Sequence, residues 1–385
     1  MNQQTTVEER FGLARSNFVV NPVSEADFWA PRSDINIDSL VENLRVDLVI
    51  GLAPKRFIWG PYGGGKTHTL HHTMRELEKM TPIHPVHIDC PDLSRRSTFL
   101  DLYRDGIMHS LGEDFVLGLF DATLEKIGYA RREEFLRKLN EALDDQELSK
   151  AVARLQDPNF DRIKLWAFLS GVSVGKSDLT DLGQTQDMSS AESSRLAELI
   201  ILVGRLSRTN LGKTLVLILD EMDRLGPPSG PGAETIVTFQ TAFRRLVDPS
   251  QKTVSILIGC SAVARSDFPD IFAGEAVMGR LGRDPGFGEI EIRELVDPDV
   301  DRFIKSVIEH FRNQDADIAS LIQSASSGTS ETINEDFFPF TVEAIAALKG
   351  RLSQIMTPRE VTLTMSRLLG KAYLLNKPVV TSDVV

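Results

Sequence analysis

The segment that most constrains this chain is Gly60-Pro61-Tyr62-Gly63-Gly64-Gly65-Lys66-Thr67, which directly follows the apolar run Phe57-Ile58-Trp59. It fits G-x-x-x-x-G-K-[ST], a pattern that cradles phosphate when a strand leads in and a helix leads out. The apolar run reads as that strand, and Thr69 to Met80 reads as that helix, with Leu70, Met74 and Leu77 on one side. The glycines let the backbone turn its N–H groups inward, and the following helix offers the positive end of its dipole to an anion. Lys66 can reach the β- and γ-phosphates of ATP, and the Thr67 hydroxyl can hold Mg2+. The nucleotide-contacting stretch is expected to run from Gly60 through His68.

A partner for that loop is expected where another strand ends. Leu215-Val216-Leu217-Ile218-Leu219 is wholly apolar, as in a parallel sheet covered on both faces, and Asp220 and Glu221 follow it at once. Carboxylates at the C-terminal end of such a strand stand where open α/β sheets bind ligands. Asp220 suits Mg2+ through water, and Glu221 suits the orientation and polarisation of an attacking water. Further strands are expected at Val86-His87-Ile88-Asp89, Val254-Ser255-Ile256-Leu257-Ile258 and Glu289-Ile290-Glu291-Ile292, giving five strands in a doubly wound α/β core. At the end of the fourth, Ser261 is a candidate for positioning water, with a backbone-bonded hydroxyl as the alternative. Arg280 and Arg283 are candidate arginine fingers, with ion pairing to Asp284 as the alternative.

Helical patterns fill the rest. Ile37 to Val49 is one helix; Phe99, Tyr103, Ile107 and Leu111 form a stripe, as do Leu196, Leu199, Ile200, Val203 and Leu206. Both stripes are expected to be core packing. Lys176 to Ser190 reads as a polar surface loop and Gly226 to Gly232 as a mobile one. Gly171 to Ser177 imitates a second phosphate loop but is one residue short between its glycines, which would displace the converging amides. Asp297-Pro298 is expected to cap a helix, and Thr357-Pro358-Arg359-Glu360 to cap another with a glutamate three residues on. Arg359 in that first turn is a candidate lid cation. His68, His71 and His72 are read as an exposed helix face rather than a metal site.

Composition excludes several classes. A net charge of −12 disfavours the whole surface as a nucleic-acid footprint, and Arg131, Arg132, Arg137 and Lys138 are interleaved with Glu133, Glu134 and Glu141, as on a solvated helix. Cys90 and Cys260 are far apart and read as small buried residues, not as a zinc or disulfide framework. No apolar stretch approaches the roughly 18 residues of a membrane span, and the polar start from Met1 to Arg10 has no signal-peptide core, so a cytoplasmic location without membrane contact is expected.

Taken with these motifs, the chain resembles an AAA+ ATPase, most similar to the origin-recognition and replication-initiator clade and to related bacterial ATPases of defence islands. The resemblance covers about 20 to 375 and fits only loosely over 95–210. It implies a P-loop core with a five-stranded parallel sheet, a helical insertion and a C-terminal helical lid. The corresponding divisions are a flexible arm over 1–25, a core over 26–296 with the insertion at about 95–210, and the lid over 297–385. It implies Walker A at Gly60 to Thr67, Walker B at Asp220 and Glu221, sensor 1 near Ser261 and sensor 2 at Arg359. The Phe28-Trp29-Ala30-Pro31-Arg32 segment resembles the stretch whose backbone reads adenine. Homo-oligomeric or mixed assembly is implied too, with nucleotide at each junction, Arg280 or Arg283 supplied in trans, and DNA or a protein as client.

Three features depart from that family. Ala262 stands where initiators often end sensor 1 with asparagine, and Gly60 and Asp220 are 160 positions apart, which implies the insertion. Only 26 residues follow Arg359, short of a winged-helix domain. The expected activity is therefore that of an ATP-hydrolysing switch or motor, with a signalling or scaffold NTPase of little turnover as the alternative.

Overall fold

The computed structural model describes residues 6–92, 96–128, 131–225, 232–248, 250–272, 275–281, 288–352 and 356–385. The chain forms two compact units, one of Met1–Ile37, Gly60–His72 and Glu291–Val385, the other of Asp38–Trp59 and Thr73–Ile290. The N-terminal residues and the phosphate-loop segment therefore group with the C-terminal helices, across the expected boundaries at 25 and 296.

Five parallel strands make the sheet, β1 (Lys55–Gly60), β2 (Ile83–Asp89), β3 (Thr214–Asp220), β4 (Val254–Ser261) and β5 (Glu289–Glu291), in the order β2-β3-β4-β1-β5. All five expected strands are present. Every residue of β3 is buried, which is why its sequence does not alternate. Asp89 pairs in register with Asp220, and Leu219 with Ile258. Because the strands are parallel, Asp89, Asp220 and Ser261 all end at the same sheet edge.

Between β2 and β3 the chain runs through Glu113–Ile127, Arg132–Leu143, Gln146–Ala153, Arg162–Leu169 and Ser193–Leu206, all helical. This insertion is no separate lobe, since Phe120, Leu139, Leu165 and Ile200 share one apolar core with Leu217 and Ile256. Both expected stripes are buried. The first has a local cause: a four-residue repeat drifts by about 40° per step around an α-helix, and the chain forms a π-helix over Leu102–Met108, whose wider turn keeps the stripe inward. The stretch 176–190, expected as loop, instead holds a helix at Lys176–Leu182 and a 3-10 turn at Met188–Ser190. Leu182 is buried there, with Leu179 against the same core, so two apolar side chains fold a polar segment. The expected ion-paired helix is present, with Lys138 on Glu134 at 2.9 Å and Arg137 on Glu141.

The other unit corrects the expectation of a loose arm. Thr6 and Glu9 form a capping box on a helix at Val7–Phe11, and Phe11, Leu13 and Phe18 are buried in one core with Phe311, Phe340 and Leu369. Phe18 meets Phe311 edge-on at 5.9 Å, and the Ala14 N–H donates to the Phe311 carbonyl at 2.8 Å. Helices Asp297–Phe311, Val342–Leu352 and Pro358–Leu374 supply the rest of this core. Val296, not Asp297, caps the first of them, and Asp297 falls in the first turn beside the positive dipole end. Thr357 caps the last as expected, its hydroxyl accepting the Glu360 N–H at 3.3 Å. Among the described residues no helix is long and apolar enough to cross a membrane.

Candidate functional site

The glycine-rich loop from Gly60 to Gly65 has the torsions that its glycines permit. Gly63 and Gly65 take φ of +76° and +100°, the left-handed region that costs other residues energy. At Gly60 a Cβ would lie 2.1 Å from the Ile292 carbonyl oxygen, so no larger residue fits. The helix Lys66–Glu78 starts earlier than expected, which puts Lys66 and Thr67 in its first turn. The Lys66 ammonium donates to the Gly60 and Pro61 carbonyls at 3.1 and 2.8 Å.

Three braces hold this loop. Arg32, its side chain only 5% exposed, donates to the Gly64 carbonyl at 2.6 Å and forks onto both Asp34 carboxylate oxygens at 2.8 and 2.7 Å. A second anchor is Arg359, which donates to the Tyr62 hydroxyl at 2.9 Å and lies over its ring, 5.1 Å from the centroid. Third comes the Phe28 to Arg32 stretch: His68 Nε2 donates to the Phe28 carbonyl at 2.5 Å, and the Trp29 ring stacks on His68 with centroids 5.9 Å apart. A carbonyl only accepts, so Nε2 carries the His68 proton and buried Nδ1 is left without a hydrogen-bond partner. Burial pushes the His68 pKa down, in keeping with a neutral ring. His71 and His72 are buried as well, with His72 Nδ1 on the Ala26 carbonyl at 2.8 Å, so the histidines are a packed face and not the expected exposed one.

In the other unit, β3 delivers its two carboxylates differently. Asp220 is 1% exposed; its Oδ1 accepts the Glu221 N–H at 2.7 Å, while its buried Oδ2 has no hydrogen-bond partner and lies 3.9 Å from His87 Nε2. Glu221 takes φ of +54°, a strained value for this residue. Its Oε2 is paired with Arg224 Nη2 at 2.5 Å. Burial raises the Glu221 pKa, Arg224 opposes that rise, and Asp220, Asp89 and Asp223 reinforce it. Asp223 accepts the Ser261 N–H at 2.8 Å and so ties the end of β4 to the turn after β3.

The remaining candidates are placed as follows. Ser261 ends β4 half-buried, and Ala262 beside it is buried. Arg280 donates to the Arg244 carbonyl at 2.8 Å and lies 3.9 Å from Asp248, so its described neighbours are on its own unit. Arg283, Asp284 and the loop residues 226–231 lie outside the described residues. Sequence reasoning missed the brace formed by Arg32, the Tyr62 hydroxyl as seat for Arg359, and Arg224. The last had a signal, since it stands three residues after Glu221 in D-E-M-D-R.

No protein-family model matches this chain, and no curated protein matches it. Solved structures do. The Aeropyrum pernix ORC2 protein, in ADPNP-ADP complexes, aligns with 93% of this chain and 68% of its own at 9% identity, with a TM-score of 0.41. The Walker-type ATPase paby2304 of Pyrococcus abyssi aligns with 93% of this chain and 78% of its own at 15% identity, with a TM-score of 0.35.

Proposed function

We propose that this chain is an AAA+ ATPase of origin-recognition type, which binds ATP with Mg2+ and hydrolyses it as a switch or motor assembled on a partner. The observation that carries this reading is the loop itself: left-handed Gly63 and Gly65, then Lys66 and Thr67 opening a 13-residue helix directly after a buried strand. Such a loop aims backbone N–H groups and a positive helix end at one anion, as a triphosphate requires.

In this reading Gly60 to Gly65 and Lys66 hold the phosphates, Thr67 and Asp220 hold Mg2+, the Phe28 to Arg32 stretch and His68 border the base, and Arg359 exchanges Tyr62 for phosphate oxygen. Asp220 suits a hard cation, since its buried carboxylate Oδ2 has no hydrogen-bond partner. When bound, Mg2+ neutralises charge on the phosphates. Glu221 then orients a water and accepts its proton as the water oxygen bonds to the γ-phosphorus. The bond from that phosphorus to the bridging oxygen breaks, and its electron pair leaves with ADP. Ser261 completes the seat of the water.

Side-by-side assembly with Arg280 or Arg283 supplied in trans, a DNA or protein client, a setting in defence or mobile-element DNA transactions and a cytoplasmic location complete the proposal on grounds of resemblance. A second reading, a signalling or scaffold ATPase of little turnover, is favoured by the pairing of Glu221 with Arg224. Turnover and assembly size measured with and without double-stranded or single-stranded DNA separate the two. Turnover that Glu221→Gln abolishes supports the motor; ATP retained without turnover supports the scaffold; neither binding nor turnover removes both.

A further inference from the structure

Among the described residues near the end of β3, Arg224 is the cation that meets the candidate base directly. Its Nη2 holds Glu221 Oε2 at 2.5 Å, its Nη1 donates to the Cys90 carbonyl at 3.1 Å, and Asp92 lies 3.5 Å away. Cys90 follows β2, so one side chain ties the turn after β3 to the end of the neighbouring strand. A carboxylate that is to take a proton from water needs a free lone pair aimed at that water. A guanidinium on the oxygen occupies that acceptor. The backbone of Glu221 is strained in this arrangement, at φ +54°, and such strain clusters at active sites and switch regions. Both side chains of the pair are 42% exposed, which leaves Arg224 open to competition from solvent ions or a partner's anion.

We infer that Arg224 is a positioning residue that restrains hydrolysis: it holds Glu221 off the attacking water, and turnover requires the pair to open. The inference rests on the ATPase reading above and deepens it by naming the residue that sets the low-turnover state. A half-exposed ion pair contributes up to about 1 kcal/mol, which corresponds to about a fivefold shift in the open fraction.

The experiment measures kcat and KM for ATP in the wild type, Arg224→Ala and Arg224→Lys, with ATP binding followed separately by calorimetry. Arg224→Ala should raise kcat about fivefold with KM unchanged, and Arg224→Lys, which keeps a point charge but loses the fork, should fall between. Glu221→Gln combined with Arg224→Ala should show no gain over Glu221→Gln alone. Should Arg224→Ala fold poorly, the wild type carries the test: its kcat should rise as KCl goes from about 50 to about 300 mM, because salt screens an exposed pair. If ATP binds and neither removal of Arg224 nor salt raises kcat, the inference is overturned while the ATPase reading stands. If no form binds ATP, the ATPase reading fails and this inference fails with it.

Discussion

At the phosphate loop a buried charge is fully answered: Arg32 is 5% exposed, forks onto Asp34 and fixes the Gly64 carbonyl at 2.6 Å. At the end of β3 the opposite holds, with Asp220 buried on one unpartnered oxygen and Glu221 strained and tied to a half-exposed arginine. The first arrangement resists change because breaking a buried pair strands a charge. The second leaves one buried oxygen without a hydrogen bond and holds one residue at a left-handed φ by a half-exposed pair. The contrast is that of a braced loop and a carboxylate, proposed above as the base, that is held by an exposed pair, and four experiments can break or sharpen it.

Glu221→Gln should show the largest effect, lowering turnover about a hundredfold or more while leaving ATP binding near wild type. A loss of binding with unchanged residual turnover would show that Glu221 is part of the cradle instead. Arg32→Ala should destabilise its unit by about 3 kcal/mol in urea unfolding, because it leaves the 10% exposed Asp34 carboxylate with the Arg293 N–H in place of a guanidinium. The control is Arg265→Ala, which removes an arginine 73% exposed from its pair with Glu289 and should change stability by less than about 1 kcal/mol. Equal effects would erase the distinction between answered and exposed charges.

Phe18→Ala tests whether the cradle's unit includes the N-terminal segment. Removing a ring at 0% exposure should destabilise by about 3 to 4 kcal/mol, whereas a loose arm would register nothing.

Lys55 sharpens the comparison by being a buried charge that, among the described residues, has no carboxylate in hydrogen-bond contact. Its Nζ donates to the Gln251 carbonyl at 2.8 Å, and burial lowers its pKa to about 8, with Asp248 opposing. The unfolded chain then holds a proton that the folded chain has released between about pH 8 and the ordinary lysine value, so stability rises with pH across that window. Lys55→Met should therefore stabilise the protein at pH 7 by about 2 kcal/mol, the charge penalty less the lost hydrogen bond. That gain should shrink as pH climbs from 8 toward 10; a gain that grows would reverse the sign of the argument.

Much of this contrast was legible in the sequence, and the division has physical causes. The strands were readable because both faces of a parallel sheet are covered, so Leu215 to Leu219 needs no polar alternation. The loop was readable because torsions near φ +100° at Gly65 leave few residue choices. Thr357 was readable because a cap is a local interaction within three residues. Arg32 was not, since its meaning depends on Gly64 and on Arg293, 261 positions away. Phe11 and Phe18 were hidden for a like reason: each is an isolated aromatic in a polar stretch, and only the distant Phe311 and Phe340 turn them into core. The Leu102–Met108 π-helix was half legible, its four-residue spacing being visible and the widened turn that accommodates it not.

The central claim is that Lys66 and its glycine loop bind a magnesium nucleotide, and calorimetric titration of ATP with Mg2+ tests it most directly. Wild-type protein should give saturable heat, and Lys66→Ala, in a chain that still melts cooperatively, should give none. Wild-type protein that takes up no ATP, or a Lys66→Ala chain that binds it equally well, would contradict the account.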